Sequence, residues 1–186
     1  MTANIFFWSD PHWFHDRILE FTKRPFSDLE EMNDTLIYNW NSVVRKHDAG
    51  YILGDISFGT RNQTDELISR LNGQIHIIRG NHDDSLDKFA SRFASYQDYK
   101  EIKVKGQKIC LFHFPIESWH GANKGSWHLH GHCHGSLVST NGPRLDVGVD
   151  SVGLFPISIE EVRERIGDKI WTPVDHHRTK EESNDA

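Results

Sequence analysis

Short apolar runs that end in polar residues alternate with segments of helical periodicity, and this alternation constrains the fold more than any other feature. The runs are "NIFFWSD" (4–10), "AGYILGD" (49–55), "QIHIIRGN" (74–81), "KICLFHF" (108–114), "WHLHGHCHG" (127–135) and "RLDVGVD" (144–150). Such runs are typical of buried strands. The order β-α-β-α-β-α, then mostly strands and one helix, predicts an α/β layered domain with some antiparallel strands, because helices must cover sheet faces.

The longest helical pattern lies in "SDLEEMNDTLIYNWNSVV", where one stripe contains Leu29, Met32, Leu36, Trp40 and Val43. Ser27 with Glu30 predicts a capping box at its start, and Ser158 with Glu161 predicts another for "SIEEVRERI". Shorter helices are expected over 65–71 and 85–93. "EIKVKGQKICLF" predicts a hairpin around Gly106.

Composition places the chain in the ordinary globular class. Of 186 residues, 37% are hydrophobic and 26% are charged, and the formal charge of −6 argues against a broad basic face for long nucleic acids. Two cysteines are too few for a disulfide framework, and the first residues make a poor signal peptide. No apolar stretch is long enough to span a bilayer. We therefore expect a cytoplasmic protein that does not bind membranes.

The expected domain organisation is one catalytic domain over 1–172 and a polar, mobile tail over 173–186. The tail is aperiodic, and its His176 and His177 are expected to be solvated residues rather than ligands. Nothing in the sequence predicts the oligomeric state.

Potential metal ligands follow most of the predicted strands. They are Asp10, His12, Asp55, Asn81, His113, His132 and His134. The carboxyl ends of strands in an α/β sheet form a common crevice, so these side chains are expected to converge. Asp10 with His12, and His132 with His134, are two residues apart, which would point each pair to one side of an extended segment. A mixed set of oxygen and nitrogen ligands of this size is what two metal ions need.

Each motif alone has an ordinary structural interpretation. A single Asp after Gly is commonly a turn or cap residue, and a single His is commonly satisfied by the backbone. Five segments with D-x-H, G-D, G-N-H-D, H and G-H-x-H in this order favour a metal site instead.

This ordered set resembles the calcineurin-like metallophosphoesterase superfamily, from "SDPH" through "GD", "GNHDD" and "LFHFPI" to "GHCHG". The later "DVGVD" and "PISIEEV" resemble the end of its compact bacterial and phage members. The resemblance implies a four-layer α/β/β/α sandwich with two mixed sheets and two divalent metals. It assigns one metal to Asp10, His12, Asp55 and His134, and the second to Asp55, Asn81, His113 and His132. Asp55 would bridge the two ions.

The implied chemistry is attack on phosphorus by a hydroxide held between the ions. His82 resembles the family residue that protonates or stabilises the leaving oxygen, and Asp83 either orients the His82 ring or caps the following helix. Manganese is the expected metal, with iron, zinc and nickel as alternatives, since imidazole and carboxylate ligands bind all four. The expected substrate is a small phosphodiester or a nucleotide-derived phosphate ester. A phosphomonoesterase on the same metal core is an alternative.

Two further alternatives come from other classes. "HLHGHCHG" also resembles the histidine-triad nucleotide hydrolases, which use a covalent histidine without metal, although Gly131 stands where that pattern has an apolar residue. A non-catalytic binding scaffold of the metallophosphoesterase fold would be expected to have lost ligands, and none is lost here. In the metal interpretation, His128 and His130 support or pack against the site, and Cys133 is a small core residue.

Substrate recognition has several candidates. Aromatic residues near the motifs could stack on a base, and they are Trp8, Trp13, Phe14, Phe58, Trp119 and Trp127. The main expectation for all of them is packing between the layers, and Trp13, which follows His12 in a loop, is the best candidate for an exception. The loop 115–126 joins two ligand-bearing strands and is expected to pass near the metals.

Overall fold

The computed structural model describes residues 3–138 and 141–174, which contain nine strands, five α-helices and two 3₁₀ helices. In chain order the elements are β1 (Ile5–Trp8), α1 (Ile18–Phe21), α2 (Leu29–Val43), β2 (Ala49–Ile52), α3 (Arg61–Arg70), β3 (Gln74–Ile78), a 3₁₀ helix (Asp84–Arg92), β4 (Ser95–Gln97), β5 (Tyr99–Val104), β6 (Gln107–Phe112), a second 3₁₀ helix (Ala122–Lys124), β7 (Trp127–His130), β8 (Arg144–Asp146), α4 (Val149–Val152), β9 (Ile157–Ser158) and α5 (Ile159–Ile166).

The strands form two mixed sheets. The first sheet has the order β4-β3-β2-β1-β9, with β9 antiparallel to β1 and the other pairs parallel. The second sheet has the order β5-β6-β7-β8, with an antiparallel β5–β6 hairpin and two parallel pairs. The predicted α/β fold with two mixed sheets is confirmed. The carboxyl ends of β1, β2 and β3 in one sheet, and of β6 and β7 in the other, therefore carry the predicted ligands.

Helix α2 begins one residue later than its predicted cap. Asp28 is the N-cap and accepts a hydrogen bond from the Glu31 backbone N–H, while Ser27 donates through its backbone N–H and its hydroxyl to the Glu31 carboxylate. The expected pair of Ser27 with Glu30 is therefore wrong by one position. An Asp side chain caps as well as a Ser side chain, so the sequence offers two competing starts.

The other local predictions agree more closely. Ser158 and Glu161 form both bonds of the predicted capping box, and Gly106 lies in the β5–β6 turn with a positive φ of 85°. Helix α3 begins earlier than expected, because Thr60 and Gln63 form an unpredicted capping box. The segment predicted as a helix over 85–93 is a 3₁₀ helix over Asp84–Arg92.

One hydrophobic core extends through both sheets and contains most of the buried apolar residues, including Met32, Leu36 and Trp40 of the α2 stripe. Trp40 packs so closely on Gly50 of β2 that a Cβ there would lie 2.4 Å from its ring. Trp13 is fully buried in this core and packs edge-on against Trp8. Trp13 is therefore not an exception to the expected packing, because the loop after β1 turns inward.

The chain stays packed up to Trp171, which is 3% exposed and donates from its indole N–H to the Glu117 carbonyl oxygen. The division into a domain over 1–172 and a tail over 173–186 stays a prediction. Residues 175–186, with His176 and His177, lie outside the described part of the chain. Within the described part, no helix is both long and apolar enough to cross a membrane.

Candidate metal centre

The structure brings the predicted ligands together at the facing ends of the two sheets. Two groups of side chains have ligand atoms within 4.8 Å of one another, and they are Asp10, His12 and His134 (the first group) and Asp55, His113 and His132 (the second group). The remaining predicted ligand, Asn81, joins the second group, since its Oδ1 lies 3.1 Å from His113 Nε2 and 3.0 Å from His132 Nδ1.

Asp55 lies between the two groups. Its Oδ2 atom is 3.7 Å from His12 Nε2 in the first group and 3.6 Å from His113 Nε2 in the second. Its Oδ1 atom accepts a hydrogen bond of 3.0 Å from the His82 backbone N–H. One carboxylate is thus shared by both groups, and its side chain is buried.

Left-handed backbone turns orient the candidate ligands. Positive φ angles between 47° and 68° occur at Asp10, His12, Asp55, His132 and His134. The expectation that both ligand pairs lie on extended segments is therefore wrong, although the side chains still converge. Left-handed conformations at residues other than Gly cost of order 1–3 kcal/mol each, and such strain is concentrated at functional sites.

The first group has polar atoms that no described residue satisfies. Asp10 Oδ1 and both ring nitrogens of His12 are buried without a hydrogen-bond partner among the described residues. Burial by itself would raise the pKa of Asp10, but the His12 side chain, the nearby His113 and the Ser9 hydroxyl together hold this pKa below its ordinary value. Unpaired buried polar atoms are rare. A carboxylate that stays charged beside a free imidazole fits a divalent cation.

An ion pair that the sequence did not reveal supports the first group. His134 Nδ1 is 2.7 Å from Asp150 Oδ2, and Asp150 accepts two hydrogen bonds of 2.9 Å from Arg24. Arg24 also donates to the carbonyl oxygens of Asp10 and Pro11 at 2.8 and 2.7 Å. This buried arginine therefore fixes both the Asp10 turn and, through Asp150, the His134 ring.

The charges of this network are mutually stabilised. Although burial opposes it, the hydrogen bonds from His134 and Arg24 lower the pKa of Asp150 to about 2. Burial also works against the charged form of His134, but the bond to Asp150 holds the pKa of His134 above its ordinary value. An imidazole that bonds a carboxylate through Nδ1 presents Nε2 to a metal.

Asp83 does neither of the two things expected of it. Its carboxylate accepts hydrogen bonds from the backbone N–H groups of Asp55 and Gly80 at 2.8 Å and of Ile56 at 2.9 Å. It makes no side-chain cap to the following 3₁₀ helix. Burial raises the pKa of Asp83, and the three N–H bonds oppose that rise. Asp83 thus holds the Asp55 turn instead of the His82 ring.

His82 lies beside the ligands at the edge of a cavity. Its ring centre is 6.3 Å from that of His12 and 5.1 Å from that of Phe58. The cavity has a volume of about 840 Å³, and its lining includes His12, His132 and His134. His82 is exposed and lines this cavity together with the two groups' histidines.

His128 and His130 belong to neither group. They are 0% and 2% exposed, and their ring nitrogens lie near the carbonyl oxygens of Cys110, Phe114 and Gly131. Both histidines are therefore packed inside the protein, as one of the two expectations for them stated. Cys133 differs from its prediction, because it is only half buried and lines the cavity.

The loop 115–126 does not reach the cavity. Its Trp119 and Ala122 pack with Cys110 and Trp171 in a separate small cluster, and no residue of the loop lines the cavity over the ligands. The expectation that it passes near the metals is wrong. The loop joins the carboxyl end of β6 to the amino end of the parallel strand β7, so it must return to the opposite end of the sheet.

Comparison with known proteins agrees with this geometry. Residues 3–184 match the calcineurin-like phosphoesterase family. The chain is 37% identical over 164 residues to the uncharacterized protein MJ1445 of Methanocaldococcus jannaschii, covering 84% of this chain and 87% of that protein. It is 28% identical over 197 residues to the gene 66 protein of Mycobacterium phage L5, covering 88% of this chain and 94% of the phage protein.

A solved structure shows the same fold. The protein of unknown function AQ665 from Aquifex aeolicus superposes with a TM-score of 0.70 at 24% identity, covering 88% of this chain and 100% of that chain. The resemblance drawn from the sequence motifs is confirmed by the family match. This chain therefore belongs to the calcineurin-like phosphoesterase family and is a hydrolase of phosphoric ester bonds.

Proposed function

We propose that this protein hydrolyses phosphodiesters with two divalent cations held by seven side chains. The first cation would be held by Asp10, His12, Asp55 and His134, and the second by Asp55, Asn81, His113 and His132. The observation that carries the proposal is the position of Asp55 Oδ2, 3.7 Å from a ligand nitrogen of the first group and 3.6 Å from one of the second.

The charge of the ligand set supports two cations. Only Asp10 and Asp55 are acidic among the seven side chains, so two divalent ions would leave the site with a net positive charge. A positively charged site would attract an anionic phosphate ester even in a protein whose formal charge is −6. Cations bound there would stabilise the phosphoryl oxygens and would supply an activated water.

The chain's own residues orient the substrate and move the proton. His82 assists the departing oxygen, since its ring faces the cavity beside His12. Asp83 acts as a positioning residue, because its carboxylate fixes the backbone of Asp55 and Ile56. Arg24 and Asp150 position the first group in the same indirect way.

Manganese is the proposed metal, with iron, zinc or nickel as alternatives for the same ligand types. We propose a small substrate, including nucleotide-derived esters, with no long nucleic acid or membrane partner and a cytoplasmic location. Phosphomonoester hydrolysis is the second candidate, because it uses the same metal core. The histidine-triad alternative is disfavoured by the family match and by the burial of His128 and His130.

The test is a panel of phosphodiesters and phosphomonoesters assayed with manganese, iron, zinc and nickel after removal of metal by chelator. We expect diester hydrolysis that chelator abolishes and manganese restores. Full activity in excess chelator, or hydrolysis of monoesters alone, would contradict the proposal.

A further inference from the structure

The cavity over the two ligand groups is larger and more apolar than phosphate chemistry requires. A volume of about 840 Å³ falls in the range that holds ligands of drug size, far beyond a phosphate group. The ligand histidines line one part of it. Another part is a wall made by His15, Ile18, Phe21 and Phe58, which we call the aromatic wall.

The two phenylalanines of the aromatic wall are exposed. Phe21 is 60% exposed and Phe58 is 37% exposed, and in the described part of the chain the third exposed phenylalanine, Phe155, does not line this cavity. Apolar surface left in water is unfavourable, and covering it with a ligand is favourable. Exposed apolar surface grouped inside a cavity is typical of a binding site.

Phe58 packs beside three imidazoles and is still partly exposed. Its ring centre lies 4.2 Å from that of His15 and 5.1 Å from that of His12, in nearly parallel planes. Because Phe58 is 37% exposed and lines the cavity, part of its ring surface stays open to a ligand there.

The second phenylalanine is held in a similar way. The Arg17 guanidinium carbon lies 4.8 Å from the centre of the Phe21 ring, in a cation–π contact. The Phe21 ring is 6.3 Å from the ring of His15, so the wall is continuous from Phe58 to Phe21.

The position of His82 indicates which part of the ester would contact the aromatic wall. The His82 ring centre is 5.1 Å from that of Phe58. In the proposed function His82 assists the departing oxygen, so the group beside it is the leaving alcohol. Planar rings stack on aromatic side chains with a gain that does not depend on their hydrogen-bonding pattern.

We propose that the leaving alcohol of the substrate carries a planar aromatic ring, as a nucleoside does, and that Phe58 and Phe21 bind this ring. The inference rests on the proposed function and names the substrate class of the same site. It makes the aromatic wall the determinant of selectivity between esters with the same leaving oxygen.

The test uses two diesters that differ only in the ring. One joins methyl phosphate to the 5′-oxygen of a nucleoside, and the other joins it to the 5′-oxygen of the base-free sugar, so that the leaving oxygens match. For the manganese-loaded protein we expect kcat/KM to favour the nucleoside ester by about tenfold to a hundredfold, the usual effect of one stacked base.

Two variants test whether the preference for the nucleoside ester comes from the aromatic wall. Phe58→Leu keeps an apolar side chain but removes the ring, and it should reduce the ratio of the two kcat/KM values to within about threefold of one, mainly through KM. Phe155→Leu, at an exposed phenylalanine outside the cavity, should keep the wild-type ratio. Metal content measured on each variant shows that the ligand groups are intact.

A wild-type ratio near one, with clear hydrolysis of both diesters, overturns the inference and leaves the proposed function standing. If neither diester is hydrolysed, the proposed function fails, and calorimetry on the metal-loaded protein then compares a nucleoside monophosphate with ribose 5-phosphate. Equal affinity for these two ligands, or an unchanged preference in Phe58→Leu, also overturns the inference.

Discussion

The two ligand groups are supported in different ways. The first group depends on side chains that are far away in the sequence, because Arg24 joins the Asp10 turn to Asp150, 126 residues later, and Asp150 holds His134. The second group depends on contacts that involve the backbone, since His113 Nδ1 lies 2.6 Å from the Leu53 carbonyl oxygen and the Asp83 carboxylate accepts a hydrogen bond from the Asp55 backbone N–H. One group thus depends on an ion pair between side chains, whereas the other depends on contacts to backbone atoms.

The groups also differ in exposure. Asp10 and His12 are buried and His134 is half buried, whereas the second group contains the exposed residues Asn81 and His132. In the proposed two-metal site, a cation at the second group should exchange faster with solvent, and a cation at the first group should be the more sensitive to distant substitutions. Asp55 is shared by both groups, so its removal should impair metal binding at both.

Replacement of Asp55 has the largest expected effect. Asp55→Ala removes the carboxylate that both groups share, so we expect the loss of at least one bound cation and of detectable turnover. Metal analysis and diester hydrolysis measure both. The control Asp34→Ala removes an exposed carboxylate paired with Arg70 and should change neither. Two bound cations in Asp55→Ala would contradict the bridging role.

Replacement of His82 should separate catalysis from metal binding. Because His82 is not among the proposed ligands, His82→Ala is expected to keep both cations and to lose about 10²- to 10⁴-fold in rate. The loss should be larger for esters with poor leaving groups, which need the proton most. An unchanged rate across a series of leaving groups would remove His82 from the mechanism.

Replacement of Asp150 tests the contrast between the groups directly. Asp150→Asn breaks the charged contact to His134 and Arg24, and we expect one of the two cations to bind about 10- to 100-fold more weakly. The other cation should bind as in the wild type. Titration calorimetry with manganese distinguishes the two events, and equal weakening of both would show that the groups are not supported independently.

A smaller expected effect is the pH dependence of stability that comes from the buried His128, which is not a candidate ligand. Burial lowers the pKa of His128 to about 3, so the unfolded chain binds its proton at a higher pH than the folded chain does. Its contribution to stability is present above its unfolded pKa and is lost as the pH falls through that value towards 3. In metal-free protein, stability should fall by about 1.4 kcal/mol per pH unit from this one group between pH 6 and pH 4.

Denaturant unfolding at several pH values measures this slope. The variant His128→Gln has no titrating imidazole and should show a shallower slope than the wild type over the same range. An identical slope would mean that folding does not lower the pKa of His128.

The fold and the convergence of the candidate ligands could be predicted because both follow from local patterns. Apolar runs that end in Asp10, Asp55 or His113 identify strands and place polar groups at one edge of a sheet. The pairing of Arg24 with Asp150 could not be predicted, because nothing in either local sequence specifies a partner 126 residues away.

Three other expectations failed for reasons of backbone geometry. The ligand turns are left-handed and not extended, which side-chain spacing does not reveal. The loop 115–126 returns along the sheet because β6 and β7 are parallel, and their relative direction was unknown from sequence. The Asp83 carboxylate accepts hydrogen bonds from the backbone N–H groups of Asp55 and Ile56. The local sequence around Asp83 does not reveal these distant partners.

The central claim is that seven side chains from separate segments hold two cations on either side of Asp55. Anomalous diffraction from a crystal of the manganese-loaded protein tests it most directly. We predict two manganese peaks, one bonded to Asp10, His12 and His134, the other to Asn81, His113 and His132, with Asp55 bonded to both. A single peak, or peaks that do not contact Asp55, would contradict the account.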